Sequence, residues 1–262
     1  MAASSYLNTA PLIWSFQQGS LQPAVQLLTD AAPAYCADLL AREEVEVALV
    51  PVIEYQRIPG SRIIPEVCVG SSQAVRSVIL ISKHNDLKQV RQVALDSQSR
   101  TSQALVKIIF REFLETEPTW KTAAPDVRSM LEHTDAALMI GDPAMNISSE
   151  QYHVFDLASL WHRFTGTGFV FAMWMTRAKN EAAAREVDFA TARDEGLENI
   201  EVIIDQYEKN IALPRAELRR YLTENISFTV DKKLEQGMSL YFELASKHRL
   251  IPNNRPLEFV SR

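Results

Sequence analysis

Short apolar runs, each closed by a turn residue, alternate with amphipathic stretches through the first two thirds of the chain. Val45-Glu46-Val47-Ala48-Leu49-Val50 stops at Pro51, Val67-Cys68-Val69 at Gly70, and Val78-Ile79-Leu80-Ile81 at Ser82. Val93-Ala94-Leu95 runs into Asp96, and Ala136-Ala137-Leu138-Met139-Ile140 into Gly141. Apart from Glu46 these runs are continuous rather than alternating, which predicts strands buried on both faces. Between them, positions 22–29 carry Val25 and Leu28 at helical spacing, and 34–42 carry Leu39 and Leu40. Positions 101–115 place Leu105, Ile108, Ile109 and Phe113 on one helical face, with Ser99 as a candidate cap. This alternation predicts an α/β fold with mixed, mainly parallel sheets. The last third changes to helix alone. An alanine-rich stretch at 181–195 stops at Gly196, a second runs over 200–209, and a third starts at Pro214. Asp231 caps a final helix bearing Leu234, Met238, Tyr241 and Leu244.

Composition narrows the function classes. The 262 residues carry 27 Lys and Arg against 33 Asp and Glu, a formal charge of −6, with 47% hydrophobic residues. That is an ordinary globular composition, so a disordered chain is excluded. The acidic balance and the lack of a basic run argue against a nucleic-acid partner. The longest strongly apolar stretch, 168–175, is too short to span a membrane, and the opening residues show no secretory pattern. A cytoplasmic protein, monomeric or homodimeric, is expected. Cys36 and Cys68 show no metal or redox spacing; two buried reduced thiols are favoured over one disulfide.

The familiar chemical motifs are missing. The eight glycines build no phosphate-cradling loop, and Gly166-Thr167-Gly168 lacks the third glycine of a dinucleotide fingerprint because Phe171 stands there. His84, His133, His153, His162 and His248 form no metal-binding pair, and no serine sits in a nucleophile elbow. No cofactor is therefore expected. What remains are small polar residues just beyond the apolar runs, at the sheet edge where α/β proteins bind ligands. These are Ser71-Ser72, then Ser99, Thr101 and Ser102, then Gly141-Asp142. Each has a plain structural alternative as a cap or turn. Hydroxyls beside a helix start suit a carboxylate or phosphate, so together they point to a small carboxylated ligand.

At these residues the chain resembles a known family. Tyr6-Leu7-Asn8-Thr9-Ala10-Pro11-Leu12, Ala48-Leu49-Val50-Pro51-Val52-Ile53-Glu54-Tyr55 and Val75-Arg76-Ser77-Val78-Ile79-Leu80 occur in order. Leu95-Asp96, Thr101-Ser102, Asp135-Ala136-Ala137-Leu138-Met139-Ile140-Gly141-Asp142, Thr165-Gly166 and Phe169-Val170-Phe171-Ala172-Met173-Trp174 continue the series. The ordered series, strong over residues 5–177, is similar to the chorismate dehydratases of the futalosine route to menaquinone. The resemblance implies a two-lobed type II periplasmic-binding-protein-like fold with a hinge cleft. One lobe would be 1–79 plus 166–262, the other 80–165. Family members open with a short strand before Tyr-Leu-Asn, whereas only Met1 to Ser5 precede it here. That implies either an abbreviated first strand or a late start.

The implied reaction is loss of water from chorismate, giving 3-[(1-carboxyvinyl)oxy]benzoate, without metal, flavin or nucleotide. Under this resemblance Thr101 and Ser102 bind one carboxylate, Ser72 and Ser77 are candidates for the other, and Gly141 belongs to the substrate pocket. Asn8 hydrogen-bonds the departing hydroxyl or orients the substrate. Asp142 is either the base or a loop brace, and the substrate's own enolpyruvyl carboxylate is the alternative proton acceptor. Arg76 is tempting as a carboxylate clamp, but it neighbours Ser77 in an extended segment and so faces the other way. Two alternatives share the fold: a solute receptor that returns its ligand unchanged, and the related 1,4-dihydroxy-6-naphthoate synthase.

Overall fold

The computed structural model describes residues 1–29, 32–147 and 150–261. Among the described residues eight strands form two sheets: β1 (Val47–Pro51), β2 (Ser61–Ser71), β3 (Val78–Ser82), β4 (Gln92–Asp96), β5 (Thr119–Ala123), β6 (Ala136–Ile140), β7 (His153–Asp156) and β8 (Phe169–Arg177). The first sheet has the order β1-β8-β2 and the second β5-β4-β6-β3-β7. All five predicted runs are strands. β1, β3 and β6 are buried at every position, as their unbroken apolar sequences predicted.

The sheets are mixed, but parallel pairing is the minority, which corrects the expectation of mainly parallel strands. Only β4 runs parallel to its neighbours β5 and β6; β8 is antiparallel to β1 and β2, and β3 is antiparallel to β6 and β7. The physical reason lies in what burial reports. Helices covering both faces of a sheet make its strands apolar throughout, whichever way those strands run. β3 enters the second sheet and β8 returns to the first, each inserted against the direction of its neighbours.

The first strand is reduced to a bridge. Ala2, fully buried, pairs in parallel with both Leu28 and Ala48, and its amide donates to the Val47 carbonyl at 3.0 Å. This short contact sets the segment leading into the Tyr6-Leu7-Asn8 turn against the start of β1. Positions 22–29, predicted helical, form only a three-residue turn at Gln22–Ala24 before extending toward Leu28. Pro23 and the pairing of Leu28 explain the difference.

The helical tail also differs in detail. The 181–195 stretch is two helices, Glu181–Arg185 and Phe189–Glu198, broken where Asp188 caps the second by accepting the Thr191 amide. Gly196 does not stop that helix. It lets the helix lie on Pro11, whose carbonyl oxygen would be 1.9 Å from an added Cβ. Pro214 is the residue before the helix Arg215–Arg220 rather than its first member. Asp231 does cap Lys232–Lys247, accepting the Leu234 amide at 2.8 Å. That helix crosses the first sheet so closely that a Cβ on Gly237 would sit 1.8 Å from the Gly168 oxygen. Its Tyr241 then packs edge to face with Trp161 and Phe169, which meet each other in the same way. Cys36 and Cys68 are both free and buried.

Candidate active site

A narrow cleft of about 60 Å³ lies between the two sheets. Its walls include the turn holding Tyr6 and Asn8, the helix start from Gln98 to Ser102, Ile140 at the end of β6 with Gly141 after it, and Phe171 and Ala172 of β8. Of the polar clusters marked in the sequence, Ser99, Thr101, Ser102 and Gly141 reach this cleft, whereas Ser71, Ser72 and Asp142 do not line it.

Thr101 and Ser102 occupy the first turn of the helix Arg100–Ile108, and both are buried on the cleft wall. The first amides of a helix have no partner within it, so this turn offers donors to an anion. Ser99 is the cap residue by position, yet its side chain caps nothing, so it too is available to the cleft. The Thr101 Oγ1 accepts the Ile53 amide at 3.3 Å, and the Thr101 carbonyl accepts the Tyr241 hydroxyl at 3.0 Å. Two elements of the first sheet region therefore fix a helix that starts in the second.

Asn8 faces the same space, and its Oδ1 is buried without a partner. A buried amide oxygen left unpaired is costly, which makes it a ready acceptor for a ligand donor. The Asn8 side chain lies beside the Tyr221 hydroxyl, which donates to the Ser77 Oγ at 2.7 Å. Burial raises the Tyr221 pKa, so its hydroxyl stays a donor at neutral pH. Ser77 is fully buried and does not line the cleft. Its carbonyl accepts the Gly141 amide at 2.8 Å, so it works beneath the wall.

Ser72 lies outside the cleft. It is exposed, with its Oγ 3.5 Å from that of Ser227. The strand β2 runs on to Ser71, so alternation carries the side chain of Ser72 off the cleft face. Arg76 does not line the cleft and pairs with Glu217, but the expected reason does not hold: Ser77 does not face the cleft, and the Arg76 backbone is left-handed, at φ 63°, rather than extended.

Gly141 lines the cleft at φ +67°, directly under the Tyr6 ring. Asp142 does not line it. Its Oδ1 accepts the Leu7 amide at 2.9 Å, and burial pushes the carboxyl up to about 6 against the pull of that hydrogen bond. Tyr6 spans the opening, donating to the Gln98 Oε1 at 2.8 Å. Burial, reinforced by Asp96 and Asp142, pushes its hydroxyl up to about 12. Asp96, at the end of β4, is fully buried, and burial raises its pKa; its Oδ1 accepts the Gln98 amide at 2.8 Å.

Tyr6, Gln98, Arg100 and Tyr221 were not singled out from the sequence. Tyr6 stood inside the quoted Tyr6-Leu7-Asn8 series, which was a signal. Tyr221 belongs to the helical tail, where one buried hydroxyl leaves no periodic trace. Among the described residues no three His, Cys, Asp or Glu side chains converge to hold a metal. No helix among them is long and apolar enough to cross a membrane.

Comparison with known proteins agrees with this architecture. Residues 1–247 match a family described as menaquinone biosynthesis. A chorismate dehydratase of Thermus thermophilus is 26% identical over 257 residues, covering 91% of this chain and 92% of that protein. A protein of Archaeoglobus fulgidus superposes with a TM-score of 0.75 at 15% identity, over 95% of this chain and 97% of that one. The periplasmic aliphatic sulphonate binding protein of Escherichia coli superposes with a TM-score of 0.63 at 17% identity, over 100% and 93% of the two chains. The fold is therefore that of the periplasmic binding proteins, and the chain belongs to the menaquinone biosynthesis family.

Proposed function

We propose that the protein is a chorismate dehydratase, a carbon–oxygen lyase that eliminates water from chorismate to give 3-[(1-carboxyvinyl)oxy]benzoate. The observation that carries this is the cleft wall itself, where Asn8, Thr101 and Ser102 converge with a free helix start and no carboxylate among the described lining residues. A relative named for that activity, similar over nine tenths of the chain, supports it. A cytoplasmic location goes with this function.

The chemistry needs little machinery. A ring proton leaves the carbon bearing the enolpyruvyl ether, and the hydroxyl on the adjacent carbon departs. The ring becomes aromatic, so the elimination is strongly downhill. The protein must hold two carboxylates and place proton and acceptor together. Thr101, Ser102 and the helix amides bind one carboxylate. Asn8 orients the ring hydroxyl through its unpaired oxygen. With Asp142 turned toward Leu7, the substrate's own enolpyruvyl carboxylate takes the ring proton and passes it to the departing hydroxide, completing water. Residues 1–79 with 166–262 form one lobe and 80–165 the other, closing to exclude solvent.

The test is to incubate purified protein with chorismate and record the product mass. A product lighter by about 18 mass units, one water, is expected. Chorismate that binds and returns unchanged would make the protein a receptor. Turnover of a cyclic futalosine derivative instead would make it the naphthoate synthase.

A further inference from the structure

Among the described residues that line the cleft, Arg100 is the only charged one. It is the first residue of the helix Arg100–Ile108, immediately before Thr101 and Ser102. Its Nη1 donates to the Glu54 Oε2 at 3.2 Å and its Nη2 to the Asp38 Oδ1 at 2.6 Å.

These two partners are not equivalent. The Glu54 side chain is only 4% exposed and is held from its other oxygen by Arg57 at 3.0 Å. It is a fixed buried carboxylate whose release would leave a charge unpaired away from water. The Asp38 side chain is 45% exposed. It projects from the helix Pro33–Ala41, whose first residue lines the cleft. Released, Asp38 regains water at little cost, because its carboxylate already stands nearly half in solvent. The four groups Arg57, Arg100, Glu54 and Asp38 balance two charges against two. Adding a ligand carboxylate while Asp38 stays would unbalance the group, whereas exchange preserves it.

We infer that Arg100 determines the cleft's selectivity for dianions, exchanging the Asp38 carboxylate for one carboxylate of the ligand while Glu54 holds the guanidinium in place. This rests on the function proposed above. It also completes that function, because the hydroxyls and amides of the helix start serve one carboxylate and leave the second without a cation. Guanidinium suits the exchange, since its planar fork binds a carboxylate through two parallel hydrogen bonds. Asp38 acts in the empty cleft as a placeholder for the ligand.

The full-length protein, Asp38→Asn and Arg100→Lys are compared by steady-state turnover of chorismate and by calorimetric titration with chorismate. Asp38→Asn removes the competing charge and lowers KM and Kd by about two- to fivefold. Arg100→Lys keeps the charge but loses the fork, raising KM by roughly tenfold with kcat much less affected. A purely structural Arg100 predicts the opposite pattern: Asp38→Asn leaves KM and Kd unchanged, while Arg100→Lys only lowers the melting temperature. Unchanged or weaker binding by Asp38→Asn overturns the inference, and that variant decides the matter should Arg100→Lys fail to fold. If wild-type protein binds chorismate without forming product, the dehydratase function falls. The calorimetric comparison then still decides the role of Arg100.

Discussion

The carboxylate of Asp142 holds the backbone of Leu7, its Oδ1 accepting the amide proton at 2.9 Å. The bond ties the end of β6 to the turn that presents Tyr6 and Asn8, so a residue outside the cleft sets the position of one inside it. It also separates two roles that the sequence left joined. Asn8→Ala removes a polar group on the cleft wall, and kcat for chorismate is expected to fall on the order of a hundredfold. Asp142→Asn keeps an oxygen acceptor for Leu7 and is expected to stay within about threefold of wild type. The reverse order of effects in steady-state kinetics would make Asp142 the base.

The same carboxyl makes stability depend on pH in a defined direction. Burial raises its folded-state pKa from 3.8 to about 6. A raised pKa means the folded protein holds this proton more tightly than the unfolded chain does. The contribution is fully present below about pH 4 and is lost as pH rises through about 6. A shift of that size corresponds to about 3 kcal/mol. Asp142→Asn carries no such proton, so urea unfolding should show the variant gaining on wild type between about pH 4 and pH 7. Parallel profiles would show that the carboxyl titrates normally.

Gly141 provides a separate handle on the cleft. Its φ of +67° is a left-handed conformation, and a Cβ there would meet the Tyr6 ring at 2.8 Å. Gly141→Ala should cost about 1–2 kcal/mol for the backbone alone. The contact must also push Tyr6 aside and break its hydrogen bond to Gln98. Urea unfolding should reveal the stability loss, and a raised KM the displaced ring. A Gly141→Ala variant with wild-type KM would show that Tyr6 does not shape the bound state.

The strands were legible because burial on both faces writes an unbroken apolar run, as in β3 and β6. Strand direction was not, since helices cover parallel and antiparallel strands alike and leave the same composition. β5 and β7 escaped notice as largely exposed edge strands, with the polar sequences Thr119–Ala123 and His153–Asp156. In the site, Thr101, Ser102 and Gly141 were marked by standing just past apolar runs. Ser72 carried the same mark, yet one further residue of strand turned it outward. Arg100 was hidden because a charged residue at a helix start usually reads as surface. Only the tertiary structure shows that its partners are one buried and one exposed carboxylate.

Tyr221 offers the sharpest separation of stability from catalysis. Its ring is fully buried, it donates to Ser77 at 2.7 Å, and its hydroxyl lies beside the Asn8 side chain. Tyr221→Phe keeps the packing but leaves the Ser77 hydroxyl short of a partner and removes the polar neighbour of Asn8, a loss of about 1–3 kcal/mol in stability. The amide of Asn8 is then free to rotate, so kcat should fall by roughly tenfold or more. General loosening would also produce both effects, and a double-mutant cycle separates the two explanations. In an Asn8→Ala background there is no amide left to orient, so Tyr221→Phe should still lower the melting temperature but leave the residual kcat unchanged. A kcat that drops by the same factor in both backgrounds would mean that Tyr221 acts on the cleft by a route other than Asn8.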